Sequence, residues 1–299
     1  MRPYCWLPLL ALAACHPAAA PVTPSSFVLP DSTNLVDGRT GAPVATTELL
    51  GRINSADMVL LGEVHDNPVD HALRGALLRA FAERRPAVVF EQFTAADGPI
   101  ALPAPGDSLT GWLDRNGFDR RGWRWPVHEP VVSAAMASGR SLWGSNMSRE
   151  ALRAVVQNGE AGAPEPLRRM MAQAPLDSVA RAALDEDLIE GHCGRLPANL
   201  IPGMRAAQEV RDAAMTRALM QAGADGQAWL IAGNGHVRRD IAVPRVLARL
   251  APRARVLSVG LLERKEDGAA PTAAERQRYD LVIVTPRTQR PDPCANFRR

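Results

Sequence analysis

Three apolar runs in this chain each give way to a carboxylate or an imidazole. Met58–Gly62 leads into Glu63-Val64-His65-Asp66, Ala87–Glu91 ends in Glu91-Gln92, and Ala228–Ala232 leads into Gly233-Asn234-Gly235-His236. Carboxylates and imidazoles that converge can hold a divalent metal or move a proton as a general acid–base pair. Glu63, His65, Glu91 and His236 are therefore candidate catalytic residues and, in the alternative, a metal set that activates a hydrolytic water. Singly, each has a plainer explanation. Asp66 or Asn67 can cap a helix opening at Pro68, Gly233-Asn234-Gly235 suits a tight turn, and His236 can be structural. The site requires the three tips to meet in space.

A second group lies on the stretch Pro202–Ala222. Met204, Gln208, Arg211 and Met215 fall at i, i+4, i+7 and i+11, one face of a helix. Polar side chains beside Ala207, Ala214 and Ala218 need partners, so Gln208 and Arg211 are expected to reach a buried acid, such as Glu63 or Glu91, or a ligand carboxylate. The methionines read as core filler or metal ligands. Just before this helix, Gly191-His192-Cys193 offers His192 as an axial iron ligand, an acid–base group or plain loop. Neither Gly-x-Ser-x-Gly nor His-Glu-x-x-His occurs, and the lack of Cys-x-x-Cys-His excludes covalent c-type haem.

The elements that must position these residues are legible in the alternation of short apolar runs with longer helical patterns, which predicts an α/β fold with a mostly parallel sheet flanked by helices. Predicted strands are Met58–Gly62, Ala87–Glu91, Ser141–Gly144, Ala228–Ala232, Arg255–Leu261 and Leu281–Val284. Predicted helices start at Pro68 and cover Leu109–Asn116, Val131–Ser138, Arg149–Gln157, Leu176–Glu190 and Pro202–Ala222. The stretch Pro99–Glu129, with Trp112, Trp123 and Trp125, has no clear period and reads as a lobe or lid over the carboxyl ends of the strands.

Of 299 residues, the first 14 read as a lipoprotein signal peptide: Arg2, the apolar run Trp6–Leu12, and the lipobox Leu12-Ala13-Ala14-Cys15. Cys15 is the expected lipidation site. His16 after it, in place of Asp, points to the outer membrane of the cell envelope. Residues 15–31 read as a flexible tether and 32–299 as one domain. With Cys5 in the signal and Cys15 lipidated, Cys193 and Cys294 are expected to form a disulfide, the alternatives being unrelated thiols or a thiolate ligand. The net charge of +3 is spread over scattered arginines, which argues against a nucleic-acid partner.

Taken in order, Leu61-Gly62-Glu63-Val64-His65-Asp66-Asn67, Val89-Phe90-Glu91-Gln92, Gly191-His192-Cys193, the Met204/Gln208/Arg211-Asp212/Met215 helix and Gly233-Asn234-Gly235-His236 resemble the ChaN-like haem-binding lipoproteins. The resemblance covers roughly residues 45–262, with a similar tail through Tyr279-Asp280-Leu281 and Asp292-Pro293-Cys294. It implies an α/β sheet with a helical lobe, haem as the cofactor, a role in iron or haem uptake, and a homodimer with facing haems. His192, Met204, Gln208 and Arg211 would be cofactor-binding residues, in a pocket with Trp123 and Trp125. The family's described haem ligand is a tyrosine, whereas only Tyr4 and Tyr279 occur here, leaving His192, His128 and the methionines as candidates. The same Gly-Glu and Gly-x-x-His pieces are distantly similar to TraB/Tiki-like and erythromycin-esterase-like proteins, which implies a metal-dependent hydrolase instead. An inert envelope scaffold is the remaining reading.

Overall fold

The six apolar runs pair with one another in a single sheet, as strands buried on both faces do. In the computed structural model, which describes residues 26–292, 294 and 295, the order is β1 (Asn34–Asp37), α1 (Thr46–Ser55), β2 (Met58–Leu61), α2 (Pro68–Ala80), β3 (Ala87–Thr94), α3 (Leu109–Arg115), α4 (Glu129–Ser138), β4 (Ser141–Asn146), α5 (Arg149–Asn158), α6 (Glu165–Gln173), α7 (Ser178–Gly191), α8 (Ile201–Ala222), β5 (Ala228–Ile231), α9 (Val243–Leu250), β6 (Val256–Glu263), α10 (Ala273–Arg276) and β7 (Leu281–Thr285). The sheet order is β1-β7-β6-β2-β5-β3-β4. All pairings are parallel except β1 with β7.

Two cores sandwich the sheet. Val59, Leu61, Val88, Phe90 and Ile231 face α1, α2 and α4, while Leu60, Ala87, Val89 and Leu230 face α8 and α9. Neighbouring strand residues thus point to opposite faces, and the same alternation sets the direction of the polar residues just past each strand. From β2 the sheet extends to β5, β3 and β4 on one side and to β6 and β7 on the other. In such sheets ligands collect beyond the carboxyl ends of the strands.

A helical lobe is present, formed by α5 and α6 packed on the first half of α8 around Val155, Leu167, Met171 and Val210, with α7 beside it against Ile241. Gly203 is required at the α5–α8 crossing, where a Cβ would collide with the Val156 carbonyl oxygen. The Pro99–Glu129 stretch is not a free lid. Trp112 and Phe118 are buried in the main core, edge-on to Phe93 at 5.4 and 5.1 Å. The tether ends earlier than expected, because Phe27 is buried in that core. The signal, Cys15 and residues 16–25 lie outside the described residues.

Cys193 and Cys294 form the expected disulfide. It fastens the C-terminal tail to the end of α7. Upstream, Arg290 pairs with Glu263 and Asp66, so the tail spans the ends of β2 and β6. Among the described residues no helix is long and apolar enough to cross a membrane.

Candidate functional site

The strand tips do meet, as two adjoining networks: Glu63 and Glu91 point to opposite sides, yet the charges of Arg74 and His65 still reach Glu91. Glu63 comes after β2 with the parity of Leu61 and faces α2 and α4. One of its carboxylate oxygens accepts from Gln92 Nε2 at 3.0 Å and lies 2.9 Å from His65 Nδ1. The other is bound by Arg74 Nη2 and lies 3.0 Å from His71 Nδ1. His71 donates through Nε2 to the His65 carbonyl oxygen, so its Nδ1 is free to accept from Arg74. Burial, reinforced by His128, pushes His71 down to about 3, keeping it neutral. Burial also pulls Arg74 down to about 9, which leaves it charged at neutral pH opposite Glu63.

Glu91 precedes Gln92 and therefore points to the other face, toward α8. It accepts from Gly233 N at 2.7 Å and lies 3.4 Å from His236 Nε2, while His236 Nδ1 donates to Asp212 at 2.7 Å. Burial alone would lower His236, but Glu91 and Asp212 outweigh it and push the imidazole up to about 10. His236 in turn overcomes burial and holds Glu91 well below the usual carboxylate range. The carboxyl of Asp212 is raised by burial.

Of the expected metal set Glu63, His65, Glu91 and His236, the structure pairs Glu63 with His65 and Glu91 with His236. Glu91 and His236 meet each other, Asp212 and Gly233, and the Glu91 carboxylate also stands beside the His65 ring over Gly233. The ligand atoms that do cluster, within 4.8 Å of one another, belong to Glu63, His71 and His128. There the Arg74 guanidinium already supplies the positive charge. His236 is buried between the carboxylates of Glu91 and Asp212.

His65 is different. It is the exposed member of the Glu63 network, with its side chain 52% accessible. Its ring meets Trp123 edge-on at 5.0 Å and lies over Gly233, where a Cβ would come within 2.6 Å of His65 Cε1. Nδ1 lies against the Glu63 carboxylate, and Nε2 faces Gly233, where a Cβ would come within 3.0 Å of it.

On α8, Asp212 holds His236, whereas the helical spacing points to Gln208 and Arg211 as the residues that reach a buried partner. The Gln208 amide nitrogen sits 3.3 and 3.4 Å from the two ring nitrogens of His236. Arg211 reaches neither Glu63 nor Glu91. Its Nε is buried and unbonded, and it has no ion-pair partner among the described residues. Arg211 lines a hollow of about 380 Å³ with Gln92, Trp123 and Met147. A second hollow of about 300 Å³, lined by Leu167, Ala214 and Arg217, shares Thr94, Asn146, Met147 and Ser148 with the first, so the two form one trough along the ends of β3 and β4. Trp125 and Met204 do not line it. His128 is buried behind the rings of Trp123 and Phe118 and cannot meet a ligand in this fold. Tyr279 is also buried, its hydroxyl donating to the Asn234 carbonyl oxygen at 3.3 Å. His192 is half-buried, with Nδ1 donating to Leu188 O at 2.7 Å.

A sequence model of the family described as "Haem-binding uptake, Tiki superfamily, ChaN" matches residues 49–247. Comparison with curated proteins finds no significant match. Among solved structures, one described as cofacial haem binding to ChaN of Campylobacter jejuni is similar at 18% identity, over 85% of this chain and 96% of that one, with a TM-score of 0.67. A mutant erythromycin esterase, EreC, in its open conformation is similar at 12% identity over 85% and 97%, with a TM-score of 0.44. The first likeness supports the fold, and the second is too distant to argue from.

Proposed function

The chain belongs to the haem-binding uptake family of the Tiki superfamily typified by ChaN, and from that premise we propose that it binds haem at the cell envelope in iron or haem acquisition. The observation that carries this reading is the trough beside the strand ends. Its walls combine Trp123, Met147 and Leu167 with a guanidinium, Arg211, that has a buried unbonded nitrogen and no acid to pair with among the described residues. Arg217 stands at the other end, its nearest acid being the exposed Asp97 at 3.6 Å. A flat apolar ligand bearing carboxylates satisfies such a surface: the ring takes the apolar walls and the propionates take the arginines. A small divalent ion leaves it unexplained.

The lipobox at Leu12–Cys15 supports lipid anchoring at Cys15 and, with His16 next to it, an outer-membrane address. The cofacial arrangement described for the Campylobacter jejuni relative supports pairing of two haem-loaded copies of this chain. The test is titration of the purified chain with haemin, followed at the Soret band. Saturable binding is expected, and Arg211→Ala should weaken it about 10- to 100-fold, the range for losing a charged hydrogen bond. The reading fails if haemin gives no saturable band, or if Arg211→Ala binds as tightly as the native chain.

A further inference from the structure

We infer that the Met147 thioether is the axial ligand to the haem iron. The assignment rests on the haem-binding function and deepens it.

A ring laid in the trough has its iron at the centre, so the ligand belongs midway along the trough and not at an end. Trp123 and Arg211 line one hollow, and Leu167 and Arg217 line the other. The stretch common to both is Thr94, Asn146, Met147 and Ser148. Three of these side chains spend a polar atom on nearby backbone. Thr94 Oγ1 donates to the Gly117 carbonyl oxygen at 3.3 Å, Asn146 Oδ1 accepts from Met147 N at 2.9 Å, and Ser148 Oγ accepts from Ala151 N at 3.2 Å to cap α5. The fourth carries a thioether, which haem iron takes as an axial ligand.

The other usual ligands are elsewhere or already engaged. Among the described residues Met147 is the single His, Cys, Met or Tyr in the lining of either hollow, and His65, His192 and Met204 lie outside it. His71, His128, His236 and Met215 are buried. Tyr279 is bonded through its hydroxyl to Asn234, and Cys193 is in a disulfide. Asp119 is the one carboxylate of the lining, and both its oxygens are taken: Oδ1 accepts from Gly122 N at 2.9 Å and Oδ2 binds Arg149.

Met147 is also held in place. It follows β4 directly and precedes Ser148, the cap of α5, so its backbone is fixed between a strand end and a helix start. Its side chain is half-buried against the lobe core. Filling that space would need only an apolar side chain of this size, whereas a sulfur facing the trough adds a soft donor that favours ferrous over ferric iron. Leucine separates the two roles.

The test uses haem in both oxidation states. In the ferrous complex of the native chain, X-ray absorption at the iron edge should show a sulfur neighbour. Met147→Leu conserves volume, so it should keep the native melting midpoint and lose that neighbour. It should bind ferrous haem about 10-fold more weakly while holding ferric haem nearly as before, and its midpoint potential should fall by about 59 mV, the one-electron equivalent of that ratio. Met147→His should put a nitrogen in place of the sulfur and give an iron–histidine stretch by resonance Raman. Met170→Leu and Met204→Leu, both outside the lining, should leave the sulfur signal intact. A native complex without a sulfur neighbour, or one whose sulfur survives in Met147→Leu, overturns the assignment while the haem reading stands. A native chain that binds no haemin overturns both.

Discussion

Arg74 is the residue whose removal should cost the fold most at the site. Its guanidinium is fully buried and binds Glu63, so truncation leaves a buried carboxylate without its cation. Breaking a buried pair from one side typically costs about 3–5 kcal/mol, whereas removing both charges costs less. Arg74→Met should therefore lower stability to denaturant by about that amount, and Arg74→Met with Glu63→Gln should recover part of it. Equal stability of the single and double variants would show that the two side chains do not act as a pair. Arg74 and His71 are not legible as site residues in the sequence for a physical reason. On α2 they sit next to the stripe Leu73, Leu77 and Phe81, where a charged residue ordinarily belongs to the solvated edge, and only the packing of α4 against α2 buries them. Glu63, Glu91 and His236 are legible because each ends an apolar run. Their separation onto two faces is implicit in the adjacency of Glu91 and Gln92, but which network each joins depends on partners far away in sequence.

The second network makes stability depend on pH with a definite sign. The pKa of His236 is raised in the folded state, from 6.5 to about 10, so its contribution is whole below about pH 6.5 and drains away as pH rises toward 10. Glu91 is depressed, so its contribution is present above about 4.5 and is lost in acid. Buried Asp70, pushed up to about 7, and the neutral histidines His71 and His128 act below neutrality with opposite signs. The alkaline limb is therefore the clearer signature, most of all below about pH 9, where Arg74 begins to titrate with the opposite sign. Denaturation midpoints should fall between pH 7 and 10 in the native chain, by several kcal/mol at most, and the slope should flatten in His236→Gln. An unchanged slope in that variant would assign the limb to another group.

At the scale of elements, the C-terminal tail is the least obvious contributor to the site. It leaves β7, binds Glu263 and Asp66 through Arg290, and is bridged at Cys294 to Cys193, 101 residues away in sequence. A loop of that length is worth about 4–5 kcal/mol in the chain-entropy model. Cys193→Ser should therefore reduce stability by up to that amount and expose the tail to proteolysis, while the Arg290 contacts keep β2 and β6 in place. A variant as stable and as resistant as the native chain would show that the ion pairs hold the tail unaided. The bridge is legible from the cysteine count, and six strands are legible because their apolar runs are buried on both faces. Five elements are not read from the sequence: β1, four residues at the sheet edge, and the helices α1, α6, α9 and α10, of ten, nine, eight and four residues. The three tryptophans of Pro99–Glu129 suggest a lid because they lack a period. Trp112 in fact fills the core, and Trp123 alone turns toward the trough.

At the scale of the whole molecule, a site at the carboxyl edge of the sheet needs the domain to be held where haem arrives. The lipobox suggests how: acyl chains on Cys15 at about 0.8 kcal/mol per buried CH₂ give a lasting anchor once more than one chain is attached. The first buried side chain among the described residues is Phe27, so the tether between anchor and core is at most about a dozen residues, reaching about 40 Å when extended. With a lipid on Cys15, that length would keep the domain beside the membrane surface. In fractionated cells the native chain should therefore sediment with outer membranes and take up labelled palmitate. Cys15→Ala should lose the label and either stay in the inner membrane as an uncleaved precursor or enter the soluble fraction, with haemin binding by the purified domain unchanged. A Cys15→Ala chain that still carries palmitate, or a native chain that is soluble, would rule out the lipid anchor at Cys15 without touching the haem site.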